Sequence, residues 1–495
     1  MSVHEELPIE EPLNLGQSRR AMLSLLGVGA VFAAAKSAKA QSEVGGANMT
    51  EAQIQRRLLR RITYGATEDD VKLIKTMGYE AYLEWQLNPE AIDDTACDNA
   101  VGWYSTVFFD ERNLFKVRED VAKHELVAAT ILRATMSKRQ LYQRMVEFWT
   151  DHLNIYFDKV GVLKVVHDRD VIRKHALGNF RTMLMANMKS PAMLVYLDNQ
   201  DSYKTNPNQN LAREFFELHS LGVNGGYTQA DVLGFAKCLT GWTVRLWPWD
   251  APDIGKFIFD KSMHYNGTKT VLGREILSDG WIKDGETVIT LASGRKNTGR
   301  FLAKKLCRFF LGFEPDTALV EEIASEFIAT SGDIKAMLRI VLRRQNIMAA
   351  PLMMKRPFHY TIGLLRQTKA TVGSLSVMRD ELYEMGQHPF EWPPPNGYPH
   401  ASGYWIPQLL PRWNFSYRLF FRELEKNTIV RANIVKDAVT LEEVLARINS
   451  VFFAGEMNGS SRTAIRAALV DDATALSRSL NACSLAVTLP GYEKC

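Results

Sequence analysis

Apolar residues recur every three or four positions along most of this chain, a period that admits helices and little else. In "RQLYQRMVEFWTDHLNIYF", Leu141, Met145, Phe148, His152 and Ile155 share one face. "EAQIQRRLLRRITYGATEDDVKLIKTMGYEAYLEWQLNP" divides into two or three helices. Thr67 caps one of them, Asp69 and Asp70 follow in its first turn, and Gly78 separates it from the next. "VIRKHALGNFRTMLMANMKSPAMLVYLD", "TGRFLAKKLCRFFLG", "DTALVEEIASEFIAT" and "DIKAMLRIVLRRQNIM" continue the pattern. The expected fold class is mainly α: one large multi-helix domain over residues 41–495, with long irregular insertions and a little β.

Two stretches break the period. Residues 244–296 are rich in Trp, Gly and Asp and hold only short β-like runs such as "KFIFD" and "TKTVLG", which reads as an irregular or β insertion laid over the helices. "EWPPPNGYPHASGYWIPQ", residues 391–408, carries five prolines, four of them closely spaced, and must be a loop. The two stretches concentrate Trp242, Trp247, Trp249, Trp392, Tyr398, Tyr404 and Trp405, residues suited either to a platform for a flat or sugar-like ligand or to burying a loop.

At the N-terminus, Arg19 and Arg20 precede a short apolar run from Met22 to Ala35, and Ala38-Lys39-Ala40 offers a small-residue cleavage site. Residues 1–40 therefore read as a twin-arginine-type signal peptide, recognised by the twin-arginine translocation machinery, with a mature chain that starts near Gln41 and works in the periplasm or outside. The run is too short for a comfortable membrane span, so the mature chain is expected to have no stable one. The net charge is +4. The segment 1–40 holds four basic and four acidic residues, so its removal leaves that balance unchanged. No dominant basic face points to nucleic acid. The densest basic cluster, Arg56, Arg57, Arg60 and Arg61 in "RRLLRR", reads as the solvated face of an amphipathic helix. Five scattered cysteines contain no CxxC pair, which argues against a cysteine metal site; Cys483 and Cys495 could pair near the C-terminus in an oxidising compartment, a question their spacing alone leaves open.

"NPNQNLAREFFELHSLGVNGGYTQADV", Asn206 to Val232, is the densest run of polar chemistry. Asn208 or Asn210 caps a helix that ends at Gly222, and Thr228 with Asp231 resembles a capping box for a second helix that stops at Gly241. At about 100° per residue, Asn210, Arg213, Glu214 and Glu217 form a stripe opposite Ala212, Phe215, Phe216 and His219. The stripe is either a site or a wet face with an Arg213–Glu217 pair. Just before it, Asp198, Asn199, Asp201, Asn206 and Asn208 offer oxygen donors of the kind Ca²⁺ collects, with Glu214 to complete the set, or else a loop of Asx turns. A zinc site would need ligands such as His152, Glu217 and His264 to converge, and no HExxH spacing supports it.

Five fragments, "FWTDHLNIYFDK", "SPAMLVYLDNQ", "NPNQNLAREFFELHSLGVNGGYTQADVLGFAKCLTGWTV", "HYNGTKTVLG" and "PPPNGYPHASGYW", resemble in order and distance the bacterial family known as domain of unknown function 1800, over about residues 54–413. The resemblance implies a predominantly helical exported protein, often encoded beside an exported protein of an alkaline-phosphatase-like family, which is the partner it suggests. Asn210, Arg213, Glu214, Glu217 and His219 match the family's motif. The family usually has His-Asp where this chain has His264-Tyr265, and Gly-Trp where it has Gly397-Tyr398; roles of that Asp and Trp do not carry over.

The functional expectation is an enzyme of hydrolase or lyase type acting on a polar substrate, such as a saccharide. Its carboxylate and histidine pocket would have Glu214, Glu217, His219, His264 and His152 as catalytic groups, and Asn154, Asn210, Arg213, Lys269, Trp242 and Trp405 as substrate contacts. A divalent metal, calcium or zinc, would be held by Asp198 and Glu214. The rival is a non-catalytic partner or scaffold for another exported protein, in which the same polar residues form a buried network. Replacing Arg19 and Arg20 with lysines is expected to leave precursor in the cytoplasm on cell fractionation; continued processing at Ala40 would contradict the reading of the signal.

Overall fold

The computed structural model describes residues 49–421, 424, 427–428, 434–436, 438, 440–468 and 475–495. The twin-arginine pair and the cleavage site at Ala40 lie outside them. The described residues are mainly helical, and the strands form only two-stranded ladders whose strands have two or three residues. The helix starts follow local chemistry. Thr67 and Asp70 form a reciprocal capping box, as do Thr228 and Asp231. Gly78 takes φ 86° where the chain turns from Glu68–Met77 into Tyr79–Leu87.

Insertion 244–296 is less irregular than its composition suggests. Trp242–Val244 pairs with Phe257–Phe259 and Lys269–Val271 with Arg274–Ile276, both antiparallel. Irregular structure then ends, because Ile282–Ser293 is a regular helix. Its buried Val288, Ile289 and Ala292 supply the helical period within a stretch otherwise dominated by Gly and Asp.

Two hydrophobic clusters form, and each draws on separated parts of the chain. One gathers helices Glu51–Ile62, Gln140–His152, Lys296–Leu311, Thr317–Ala329 and Ile334–Val341. The other gathers Glu119–Met136, Pro357–Thr368, Leu375–Glu384, Leu409–Phe420 and Leu441–Phe453. The chain crosses between them at tight backbone approaches.

Two expectations change. The "RRLLRR" face is not solvated: Arg57 donates to the carbonyls of Met348 and Ala350, Arg60 donates to that of Phe453, and Arg61 is buried against Pro351. These carbonyls sit at the ends of Arg344–Ala349 and Leu441–Phe453, where helix carbonyls lack intrahelical partners and the dipole favours a cation. Cys483 and Cys495 are both buried, and no disulfide joins them in this structure. The long run from Val171 to Asp198 is broken at Asn179, which caps Phe180–Met188, and at Pro191, which opens Pro191–Tyr196.

A Cβ on Gly363, inside Pro357–Thr368, would lie 2.5 Å from the Tyr64 carbonyl oxygen. In an open helix Gly→Ala gains about 0.5–1 kcal/mol. Here overpacking against backbone, typically about 1–3 kcal/mol, outweighs that gain. Gly363→Ala is expected to lower the denaturation midpoint; a higher midpoint would contradict the close crossing.

Candidate functional site

The motif helix has the two faces expected of it. Ala212, Phe215, Phe216 and His219 are buried, Arg213, Glu214 and Glu217 are half-buried, and Asn210 is exposed. Asn208 caps from outside by accepting the Asn210 N–H at 2.8 Å. One regular turn, Asn210–Glu214, widens into a π-helical turn, Phe215–His219. Along the stripe, Arg213 lies 3.9 Å from Glu217 and donates to Gln229 at 3.0 Å. Burial pushes the Glu214 carboxyl up and the Glu217 charge adds to it, while Arg213 offsets part.

His152 and His219 meet beneath this helix. His152 is 1% exposed and stacks on Phe148. Its Nε2 lies 3.1 Å from the His219 carbonyl and its Nδ1 lies 2.8 Å from Lys305 Nζ. The carbonyl can only accept, so Nε2 carries the proton and Nδ1 accepts from the lysine. Burial, then the Lys305 charge, pulls the His219 imidazole down to about 3. The same causes hold His152 well below its ordinary range. Both rings are neutral at physiological pH.

Asn154 serves the proline loop: its Nδ2 donates to the carbonyls of Trp392 at 2.8 Å and Pro394 at 2.7 Å. Gly397, at φ 70°, passes so close to Asp151 that a Cβ would lie 2.2 Å from that residue's carbonyl oxygen. Trp405 is enclosed and donates to the Pro399 carbonyl at 2.9 Å. Trp242 is enclosed against Phe257. Neither tryptophan presents a face to a ligand, whereas Trp247 and Trp249 of the insertion are exposed.

His264 and Lys269 form a separate buried group around Asp284, a residue that no motif pointed to. His264 Nδ1 lies 2.7 Å from the Thr240 carbonyl and Nε2 lies 3.2 Å from Asp284 Oδ2, to which Lys269 also donates. Burial acts upward on the Asp284 carboxyl, but hydrogen bonds from His264 and Lys269 hold it below its usual range. The group ties the second hairpin to helix Ile282–Ser293. No hydrogen bond or ion pair joins it to Glu214, Glu217, His219 or His152 among the described residues, so the single expected pocket is divided among three places.

The oxygen-rich loop spends its donors internally. Asp198 pairs with Lys159 at 2.8 Å, Asn208 donates to the Asp198 carbonyl, and Asn199 donates to the carbonyls of Leu239 and Trp242. Among the described residues no three His, Cys, Asp or Glu side chains are grouped to hold a metal.

A further cavity lies elsewhere, at the seam between the two hydrophobic clusters. It measures about 290 Å³ and is lined by Arg144, Arg308, Phe309, Arg356, His359 and His400 among others. Arg356 bridges Glu147 and Asp151, the latter at 2.5 Å, and Arg144 also pairs with Glu147. Both carboxylates line a smaller cavity of about 60 Å³, whereas Glu314, paired with Arg308, is the one carboxylate lining the larger. Burial, with the neighbouring arginines, holds His359 and His400 well below their ordinary range and hence neutral. Burial raises the Asp151 carboxyl, Arg356 opposes it, and the Glu147 charge adds to the rise. The spacing of Arg144, Glu147 and Asp151 at i, i+3 and i+7, beside an apolar face, was the available sequence signal.

Residues 57–493 match the family described as "Protein of unknown function (DUF1800)". The chain belongs to the DUF1800 family. No curated protein and no solved structure matches it. The fragments that carry the DUF1800 resemblance meet around the Gln140–His152 helix: His152 reaches His219, Asn154 holds the proline loop, and Gly397 seats that loop on Asp151.

A raised carboxyl destabilises the fold only where it is ionised. The Glu214 penalty is absent below its ordinary value of 4.5 and sets in as pH rises through its folded value. Glu214→Gln is therefore expected to raise stability at pH 7, by about 0.2–0.5 kcal/mol for relief of one like-charge pair, and to change nothing at pH 4. Melts at both pH values test this; a loss at pH 7 would show that Glu214 is held by a partner.

Proposed function

We propose that this DUF1800 protein is exported and binds a small anionic compound in the seam cavity. One observation carries the reading: Arg144, Arg308 and Arg356 line a cavity of about 290 Å³ in which Glu314 is the one lining carboxylate, while Glu147 and Asp151 line a different cavity. Guanidinium presents a planar fork of donors that suits carboxylate or phosphate oxygens. Aromatic walls fix it further, with Arg144 over the rings of Tyr64 and Phe309. Export by the twin-arginine machinery, periplasmic or external location, and partnership with an exported alkaline-phosphatase-like protein belong to the same proposal and rest on Arg19, Arg20 and the family resemblance.

A hydrolase or lyase acting on such a compound, a saccharide derivative included, is the second reading. The observation favouring it is a carboxyl raised by burial, Asp151, at the seam, with His359 and His400 lining the cavity, residue types that general acid–base chemistry uses. The scaffold reading draws its support from Asn154, His152 and His264, whose polar atoms are satisfied within the fold.

Binding to the folded state alone stabilises it, by about 1.4 kcal/mol when the ligand is at ten times its Kd. Melting in inorganic phosphate against chloride at equal ionic strength is expected to raise the Tm of the wild type, and Arg308→Gln is expected to remove most of that rise. An equal rise in both proteins would contradict the seam site.

A further inference from the structure

The three arginines of the seam cavity are not equally available to a ligand. The side chains of Arg144 and Arg356 are 3% and 9% exposed, and those of their partners Glu147 and Asp151 little more. Separating such a pair leaves an uncompensated buried charge, so a ligand cannot draw either arginine away from its carboxylate. Arg308 and its partner Glu314 are 46% and 56% exposed. Water reaches both ends of this pair, and exposed pairs are weak enough for a dissolved anion to displace one partner.

Local geometry places Glu314 on Arg308. Helix Lys296–Leu311 ends at Gly312, which takes φ 75° and closes its N–H on the Cys307 carbonyl at 3.1 Å. The chain reverses there and returns Glu314 to the last helical turn, where Arg308 stands. The contact has two points: Arg308 Nη2 donates to Glu314 Oε1 at 2.8 Å, and Nε donates to Oε2. Both side chains line the cavity, and among the described residues each is the other's one ion-pair partner. The hydrogen bonds from Arg308 hold the Glu314 carboxyl below its usual range, so it is ionised at pH 7.

We propose that Glu314 is a built-in competitor for the seam cavity: its carboxylate occupies the Arg308 fork, and the carboxylate or phosphate of a ligand must displace it to bind there. This role rests on the anion-binding reading of the cavity and adds what sets its affinity and selectivity. No covalent bond changes in the exchange. Two hydrogen bonds from Arg308 pass from Glu314 to the ligand, and the released carboxylate, already half exposed, is taken up by water. An anion therefore gains from Arg308 only what it offers beyond a carboxylate. A halide presents one centre to a two-point fork and is a poor replacement, so Glu314 also screens the cavity against chloride.

The test measures the Kd of inorganic phosphate on the full chain by isothermal titration calorimetry at pH 7 and constant ionic strength. Glu314→Gln keeps the shape and loses the charge, and is expected to lower that Kd by about three- to five-fold, the strength of a well-formed exposed pair. Arg308→Gln is expected to weaken binding, and adding Glu314→Gln to it is expected to restore no affinity, because no fork is left to compete for. An unchanged Kd in Glu314→Gln, with Arg308→Gln still weakening binding, would overturn the competitor and leave the seam site standing. A gain that persists in the Arg308→Gln background would overturn it too, as the general effect of removing one negative charge. Absence of phosphate binding in the wild type and in all three variants would overturn the seam reading and the competitor with it.

Discussion

The buried ion pairs of Arg356 with Glu147 and Asp151 join the two halves of this fold. The two carboxylates belong to the helix that anchors one hydrophobic cluster, and Arg356 immediately precedes the helix Pro357–Thr368 of the other. Such charges are expensive to desolvate and repay that only when each finds its partner. Two carboxylates against Arg356 alone would leave an excess of negative charge; Arg144 supplies the second cation, through Glu147. Both arginines also line the cavity of about 290 Å³, so the same pairs that join the halves form part of its wall.

Much of the fold is legible in the sequence because it is local. Helical period, the capping pairs Thr67 with Asp70 and Thr228 with Asp231, and the turn at Gly78 each depend on residues within four positions of one another. The two faces of the Asn210–His219 segment are legible for the same reason. What is not legible depends on partners far along the chain. Arg57 and Arg60 read as solvated because the carbonyls they cap come from residues 348–350 and 453. Composition hides the helix Ile282–Ser293, whose Asp284 turns out to hold both His264 and Lys269.

The candidate site shows the same division. Matching residues to a family motif locates the right neighbourhood but distributes the roles differently from a catalytic pocket. Asn154 and Gly397 seat a loop, His264 and Lys269 staple a hairpin to a helix, and His152 with His219 orients Lys305. A recurring polar residue need not touch a ligand; one buried unsatisfied amide or imidazole costs enough to fix its identity through packing alone. The groups facing open space, Arg308 and His400 among them, come from helix and loop positions that carry no spacing signal.

If Arg356 joins the halves, its removal should matter far more than the loss of one surface ion pair. Arg356→Met keeps much of the length and apolar contact and leaves Asp151 with a buried, unpaired carboxylate. Urea unfolding of this variant and the wild type is the most direct measurement. The account predicts a loss of about 3–5 kcal/mol, the usual cost of breaking a buried pair from one side. A loss below about 1 kcal/mol, the range of an exposed pair, would contradict it.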